Sequence, residues 1–450
     1  MPDTATASLP LDRASLESAA LRAIECSRAK GASDAEAEAS ASVGQSVTVR
    51  LGEVETVEYT RDKALSITVY FGQRRGNAST SDLSAAAVAR AVDAACAIAR
   101  HTAPDEAAGL PDAARLYRGP ASDLGLYHPW GLSVETAIAL AREAEDAARA
   151  VDGRITNSEG ASVSSWDADF VLANTRGFVG GYPTSRASIG CGVIASEGDA
   201  MQRDYWYTAE RSPAQMESAN AVGRRAGERA VRRLGARQVA TGEVPVLFDA
   251  DIASSLIGHF VSAASGSSLY RRSSFLLDAV GEPVFAPLIE IDENPHLPGG
   301  MASGWFDGEG VATQPRRLVS GGVLSGYFLS SYSARKLGLE TTGNAGGSHN
   351  LIVRPGPEGF EALLKRMGRG LLVTELMGQG VNAVTGDYSR GAVGFWVEGG
   401  EIAYPVEEVT IAGNLREMYR GIVAVGSDVL SRSGRSTGSI LIDRMTVAGT

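Results

Sequence analysis

The sequence predicts an α+β protein in three parts: an N-terminal α+β domain (residues 1–110), a middle α+β segment (111–240) and a β-rich, barrel-like C-terminal domain (241–450). Three observations carry this. Helical and alternating hydrophobic periods interchange along the first 240 residues. The run from Pro104 to Pro129, with Gly109-Leu110-Pro111-Asp112 and His128-Pro129-Trp130, reads as a connection. Well over half of the 53 glycines follow Ala240, dispersed among short apolar runs, the texture of many strands joined by turns.

The elements follow in order. Leu16 to Lys30 places Leu16, Ala20 and Ile24 at helical spacing, and Gly31 ends the helix. Ser46 to Glu58 alternates through Val47, Val49, Leu51, Val54 and Val57, and Leu65 to Phe71 is β-branched and aromatic, so two strands are expected. Ser81 or Asp82 is the candidate N-cap of an Ala-rich helix reaching His101. Ser133 caps a helix over Val134 to Ala150, with Glu135 in the first turn to complement its dipole. Short β pieces are expected around Ile155, Phe170 to Ala173, Ile189 to Ile194 and Tyr205 to Tyr207. Ser212 and Pro213 open another helix, which Gly235 ends. In the last domain Val246 to Phe248, Leu371 to Val373, Ala392 to Val397 and Ile440 to Ile442 read as strands. Ala250 to Ala264, Glu358 to Arg369 and Leu415 to Ile422 read as helices. No fixed-period repeat occurs, which excludes a solenoid.

Charge and cysteine usage narrow the function classes. Acidic side chains outnumber basic ones 53 to 42, giving a net charge of −11 that repels a phosphate backbone. The basic cluster Arg224-Arg225 with Arg229, Arg232 and Arg233 lies in one helical segment and reads as a solvated face. No nucleic-acid partner is expected. Cys26, Cys96 and Cys191 are widely spaced with no C-x-x-C pair, which points to a reducing compartment. Met1 to Arg13 shows no basic and apolar leader, and no window of about 18 uninterrupted apolar residues can span a bilayer. A cytoplasmic protein with no membrane partner is expected.

Short catalytic motifs are mostly absent. None of His101, His128, His259, His296 and His349 is followed by glutamate, so no H-E-x-x-H helix exists, and each lone histidine reads as structural. Gly434-Arg435-Ser436-Thr437-Gly438 fits G-x-S-x-G, but no helix or histidine follows it. Gly378-Gln379-Gly380 begins a dinucleotide fingerprint whose third glycine is replaced by Ala383. The acidic runs Glu290 to Glu293, Asp307 to Glu309 and Glu407-Glu408 read as solvated turns.

Longer blocks are more specific. Gly72 to Thr80, Asn157 to Gly160, Met201 to Tyr207, Ser268 to Arg271, Thr341 to Gly347, Thr374 to Asn382, Gly386 to Gly391 and Ile411 to Leu415 occur in an order that resembles the TldD/PmbA family of cytoplasmic peptidases, in its PmbA branch, from about residue 35 onward. The resemblance implies a heterodimer in which a TldD-type subunit carries zinc on an H-E-x-x-x-H helix with a cysteine from a loop near the C-terminus. The PmbA-type subunit completes a chamber for unfolded peptide. Here the corresponding helix falls at 253–266. If His259 were the first ligand, Phe260 and Ala264 would stand at the other two places; if the second, Ser254 and Ser255 would. Ser431 to Gly438 stands at the place of the cysteine loop, and no cysteine follows Cys191. The expectation is therefore a PmbA-type subunit that binds no cofactor itself and carries no catalytic residue, the zinc residing in the TldD-type partner. Asn344, Gly346, Gly347, Gln379 and Asn382 are the candidate peptide-binding residues. Their glycine-rich blocks fit either turns in a curved sheet or close approach to a peptide backbone. Arg74 and Arg75 read as a hairpin tip. Two alternatives stand beside this: a self-sufficient metallopeptidase using His259, His349 and a carboxylate such as Asp387, and a binding module that modulates another protein. A homodimer in the absence of the partner remains open.

Overall fold

A computed structural model of the protein describes residues 9–120 and 122–450. The leader-free reading of Met1 to Arg13 rests mostly on residues 1–8, outside the described residues. No described helix is long and apolar enough to cross a membrane.

The first layer is a twisted antiparallel sheet covered by four helices. Its elements are α1 (Arg13–Ala29), β1 (Asp34–Arg50), β2 (Glu53–Phe71), β3 (Arg74–Thr80), α2 (Ala85–His101), α3 (Val134–Arg149), β4 (Ile155–Asn174), β5 (Val179–Gly180), β6 (Thr184–Glu197), β7 (Ala200–Glu210) and α4 (Ala219–Arg232). The strand order is β3-β2-β1-β4-β6-β7, with β5 paired to β4, so one sheet runs continuously across the chain's first 210 residues. α1 and α2 cover one half over Ala37, Ala39, Leu65, Ile67 and Val69, and α3 and α4 cover the other over Val47, Val49, Val163, Ile189 and Trp206. The alternation of β1 dictates this, because every second residue from Ala35 to Val49 is buried.

Local readings differ from the structure in several places. Ser46 to Glu58 is not one strand. It contains the turn between β1 and β2, where Leu51 (φ 52°) and Gly52 (φ 82°) reverse the chain. Both turn N–H groups donate to the buried Glu145 carboxylate on α3, at 2.7 Å each. The cap of α2 is Ser84, which accepts from the Ala87 N–H, while Asp82 accepts from Ser84. Ser212 and Pro213 open only a 3-10 turn, and α4 begins at Ala219 under a Ser218 cap. β2 also outruns its neighbours: β3 pairs with it only from Leu65 to Phe71, leaving Glu53 to Ala64 with β1 on one side and none of their side chains buried.

The remainder is built on β8 (Gly242–Phe248), α5 (Ala250–Ala263), α6 (Gly266–Tyr270), β9 (Ile291–Asn294), β10 (Arg316–Ser320), β11 (Val323–Leu324), α7 (Ser331–Leu337), β12 (Asn350–Val353), α8 (Phe360–Met367), β13 (Gly370–Met377), β14 (Asp387–Glu398), β15 (Glu401–Asn414), α9 (Leu415–Arg420), β16 (Ile422–Val425), β17 (Leu430–Ser431), β18 (Arg435–Thr437) and β19 (Ile440–Ala448). Five strands in the order β15-β14-β13-β8-β19 close through β15–β19 pairing into a barrel, with β16 outside on β19. Closure removes the edges of a curved glycine-rich sheet. Val246 and Phe248 of β8 join the main core with α5, while Leu247 faces α8. A second sheet, β11-β10-β9-β12-β18-β17, lies beside the barrel.

The arginines of α4 do not form a solvated face. Arg229 and Arg233 turn inward to Asp204 and Glu375, and Arg225 with Arg432 sandwiches the Trp206 ring at 3.5 and 3.9 Å. Among the described residues, the Arg224–Glu228 pair is the most exposed ion pair of this group. The acidic runs are likewise partly internal: Glu293 is 1% exposed and paired with Arg316, and Asp307 is buried.

Candidate functional site

Strand β8 delivers the chain into α5 at Asp249, whose side chain accepts from the Asp251 N–H. Helical spacing then places Ser255 and His259 one turn apart on the same face. The His259 ring meets Tyr388 of β14 edge-on, with centroids 5.9 Å apart. Strand alternation puts Arg390 on the face of β14 that carries Tyr388. From the second sheet, β18 sends Arg435 toward the helix so closely that a Cβ on Gly258 would lie 2.1 Å from its Nη1. Burial, then the Arg390 and Arg435 cations, hold His259 below the ordinary imidazole range. Burial pushes the Tyr388 phenol up to about 12.

Among the described residues no three His, Cys, Asp or Glu side chains converge as a metal set. His259, His349 and Asp387 are thus not one site. Both ring nitrogens of His349 face carbonyls, Ala302 O at 3.2 Å and Gly343 O at 2.8 Å. Asp387 accepts from Thr385 and Asn414 on the surface.

The five peptide-binding candidates fall in two places. Gly346 and Gly347 help line a cleft of about 580 Å³ between the first sheet and the C-terminal part, with His349, Glu38, Trp166 and Arg211. Asn344 sits behind it, 5% exposed and engaged by Arg316, Thr342, Glu293 and the Gly347 carbonyl. These bonds tie the loop to β9 and β10. Asp307 lies at the same cleft, where burial pushes its carboxyl up to about 6 despite hydrogen bonds from backbone N–H groups. Gln379 and Asn382 belong instead to the β13–β14 connection. Gln379 is exposed, while Asn382 accepts from the Val384 N–H and shapes the loop. A neighbouring cavity of about 870 Å³ shares Tyr182 and Phe306 with the cleft and adds Tyr117, Tyr127, Phe178 and Trp305.

Profiles described as PmbA/TldA metallopeptidase domain 1, central domain and C-terminal domain match residues 35–99, 127–234 and 241–449. The chain belongs to the PmbA/TldD family. It is 49% identical to Metalloprotease PmbA of Escherichia coli O157:H7 over 96% of each chain, and 48% identical to the Metalloprotease PmbA homolog of Haemophilus influenzae over 99% of each. Among solved structures, a Bacteroides thetaiotaomicron protein described as a modulator of DNA gyrase superposes with a TM-score of 0.92 at 28% identity, covering 96% of this chain and 99% of its own. TldE of Thermococcus kodakarensis, at 21% identity and a TM-score of 0.83 over 95% of this chain and 99% of its own, shares the fold.

Within this PmbA/TldD fold, the sequence pattern places α5 and the resemblance places the Ser431 to Gly438 segment, but neither brings together the groups that meet there. Tyr388 and Arg390 lie within the Gly386 to Gly391 block, and their period-two spacing marks a shared strand face. Arg435 gave none, because its contact with Gly258 exists only after the second sheet has packed on α5.

Proposed function

We propose that this chain is the PmbA-type subunit of a TldD-type metalloprotease complex acting on unfolded peptides, and that it supplies chamber wall and peptide contacts while the TldD-type subunit holds the zinc. One observation carries the reading: the helix that would bear zinc presents a single imidazole, and the Arg435 guanidinium fills the space over Gly258. Zinc requires three or four convergent nitrogen, sulfur or carboxylate donors, and a fixed cation beside one imidazole opposes it. Neither Phe260 nor Ser255 is a base able to deprotonate a metal-bound water.

The cleft and the aromatic cavity support the peptide role. Exposed Trp166, the aromatic rings of the cavity and the open backbone at Gly346 and Gly347 suit an extended chain of varied sequence. The test is elemental analysis of zinc in the purified chain, with hydrolysis of unfolded peptide assayed alone and after adding a TldD-type subunit. Activity that appears only with that subunit, with no zinc in this chain, is the expected result. Near-stoichiometric zinc and chelator-sensitive hydrolysis by the chain alone would overturn the reading.

A further inference from the structure

The middle of α5 and the facing strand β14 gather polar groups that make no hydrogen bond to protein. The Ser255 hydroxyl, His259 Nε2 and Tyr388 hydroxyl are all buried and unpartnered among the described residues, and the Tyr388 side chain is 1% exposed. Leaving such a group without a partner costs on the order of 1–3 kcal/mol, so three such groups on α5 and the strand packed against it are not an accident of packing. The cations beside them are in a similar state. Arg390 donates one bond to the Met377 carbonyl at 3.2 Å, and neither it nor Arg435 ion-pairs with a carboxylate among the described residues, although twenty-two such contacts occur elsewhere. The Arg435 guanidinium lies against the bare Cα of Gly258, in space that a side chain at that position would fill.

The chemistry of this set is one-sided. Two guanidiniums are obligate donors, and a phenol, a hydroxyl and a neutral imidazole can each present a proton to an acceptor. Donors converging with two positive charges repel a metal ion and match an oxyanion, and guanidinium forks favour a carboxylate in particular.

We propose that Arg390, Arg435, His259, Tyr388 and Ser255 form a carboxylate-binding site that takes a carboxylate of an extended peptide. The proposal deepens the peptide-binding reading above and rests on it. The carboxylate comes either from the peptide C-terminus or from an acidic side chain, and both share the recognition chemistry. A peptide anchored here would be fixed by its end or by one acidic residue, with the remaining chain free to vary.

The test measures binding of a fluorescent unfolded peptide to the full chain alone by anisotropy, in three forms: free C-terminus, amidated C-terminus, and amidated with one internal glutamate. The expected result is that a free carboxylate tightens binding about tenfold over the amidated form, and that Arg390→Gln and Arg435→Gln each remove the difference. Arg435→Lys, which keeps the charge, retains part of it and guards against a variant that merely misfolds. Preference for the free C-terminus assigns the site to peptide ends, and preference for the internal glutamate assigns it to side chains. Equal binding of all three forms, a difference that survives both glutamine variants, or no saturable binding would overturn the proposal. The zinc and hydrolysis assays are unaffected by these outcomes, so failure of this site and failure of the subunit reading are told apart.

Discussion

Arg233 Nη1 lies 2.6 Å from Glu375 Oε2, joining the C-terminal end of α4 to the barrel strand β13. Arg233 is 4% exposed, and it also lies 3.5 Å from Asp204, which Arg229 holds from the other side. Arg203 completes the arrangement at 3.0 Å from Glu375. Sheet layer and barrel are thus tied by a shared network of charges rather than by apolar packing alone.

Removing the central cation leaves two carboxylates buried and partly uncompensated. Arg233→Met should lower stability by about 3–5 kcal/mol, read by urea unfolding. The sheet layer and barrel should then unfold in separate transitions; a loss below about 1 kcal/mol with one shared transition would show that the network does not couple them.

Glu145 makes its own prediction. Its carboxylate satisfies both turn N–H groups at Leu51 and Gly52, and its side chain is fully buried. Glu145→Ala should cost about 1–3 kcal/mol and speed amide hydrogen exchange at those two positions before anywhere else in β1. Protection that stays unchanged there would mean that the turn holds itself.

The dependence of stability on pH follows from two carboxyls. Burial holds Glu36 up to about 7 and Asp307 up to about 6, against ordinary values of 4.5 and 3.8. Between those limits the folded chain keeps protons that the unfolded chain has released, so stability is greatest below the ordinary values and falls as pH rises through the folded ones. The loss is up to about 3 kcal/mol for each group. Glu36→Gln should flatten the fall between about pH 5 and 7 in urea titrations at several pH values. A variant profile that parallels the parent would sink the assignment.

Gly258→Ala separates folding from recognition. A Cβ would displace Arg435 Nη1, the far end of a flexible side chain, while alanine raises helix propensity by up to about 1 kcal/mol. The melting temperature should stay level or rise slightly, while the preference of the chain for a free peptide carboxylate disappears. Retention of that preference would show that the position of Arg435 is immaterial.

What the sequence revealed was local. The cap at Ser133, the strand over Leu65 to Phe71 and the helix over 250–264 are each set by residues within a few positions of one another, and all three stand in the structure. The β1–β2 turn escaped because Leu51-Gly52 is not an Asn-Gly signal, and its support comes from a glutamate on a helix far along the chain. Ile155 and Phe170 to Ala173 read as separate pieces because polar residues lie between them. Pairing with β1 on one side and β6 on the other carries β4 through as one strand. Candidate residues divided in the same way: Gly346 and Gly347 line a cleft, whereas Asn344 is buried behind it and hydrogen-bonded to Glu293.

The long bare margin of β2 has a consequence for life at high concentration. Twelve residues of strand with one open side would template the growth of further strands from other molecules. The irregularity opposite Thr48 and Val49 leaves Glu55 as an extra residue on this margin, and Glu53, Glu58, Arg61, Asp62 and Lys63 line the rest. An incoming strand would have to strip water from those charges and follow a bent ladder. The margin can therefore stay open without seeding aggregates.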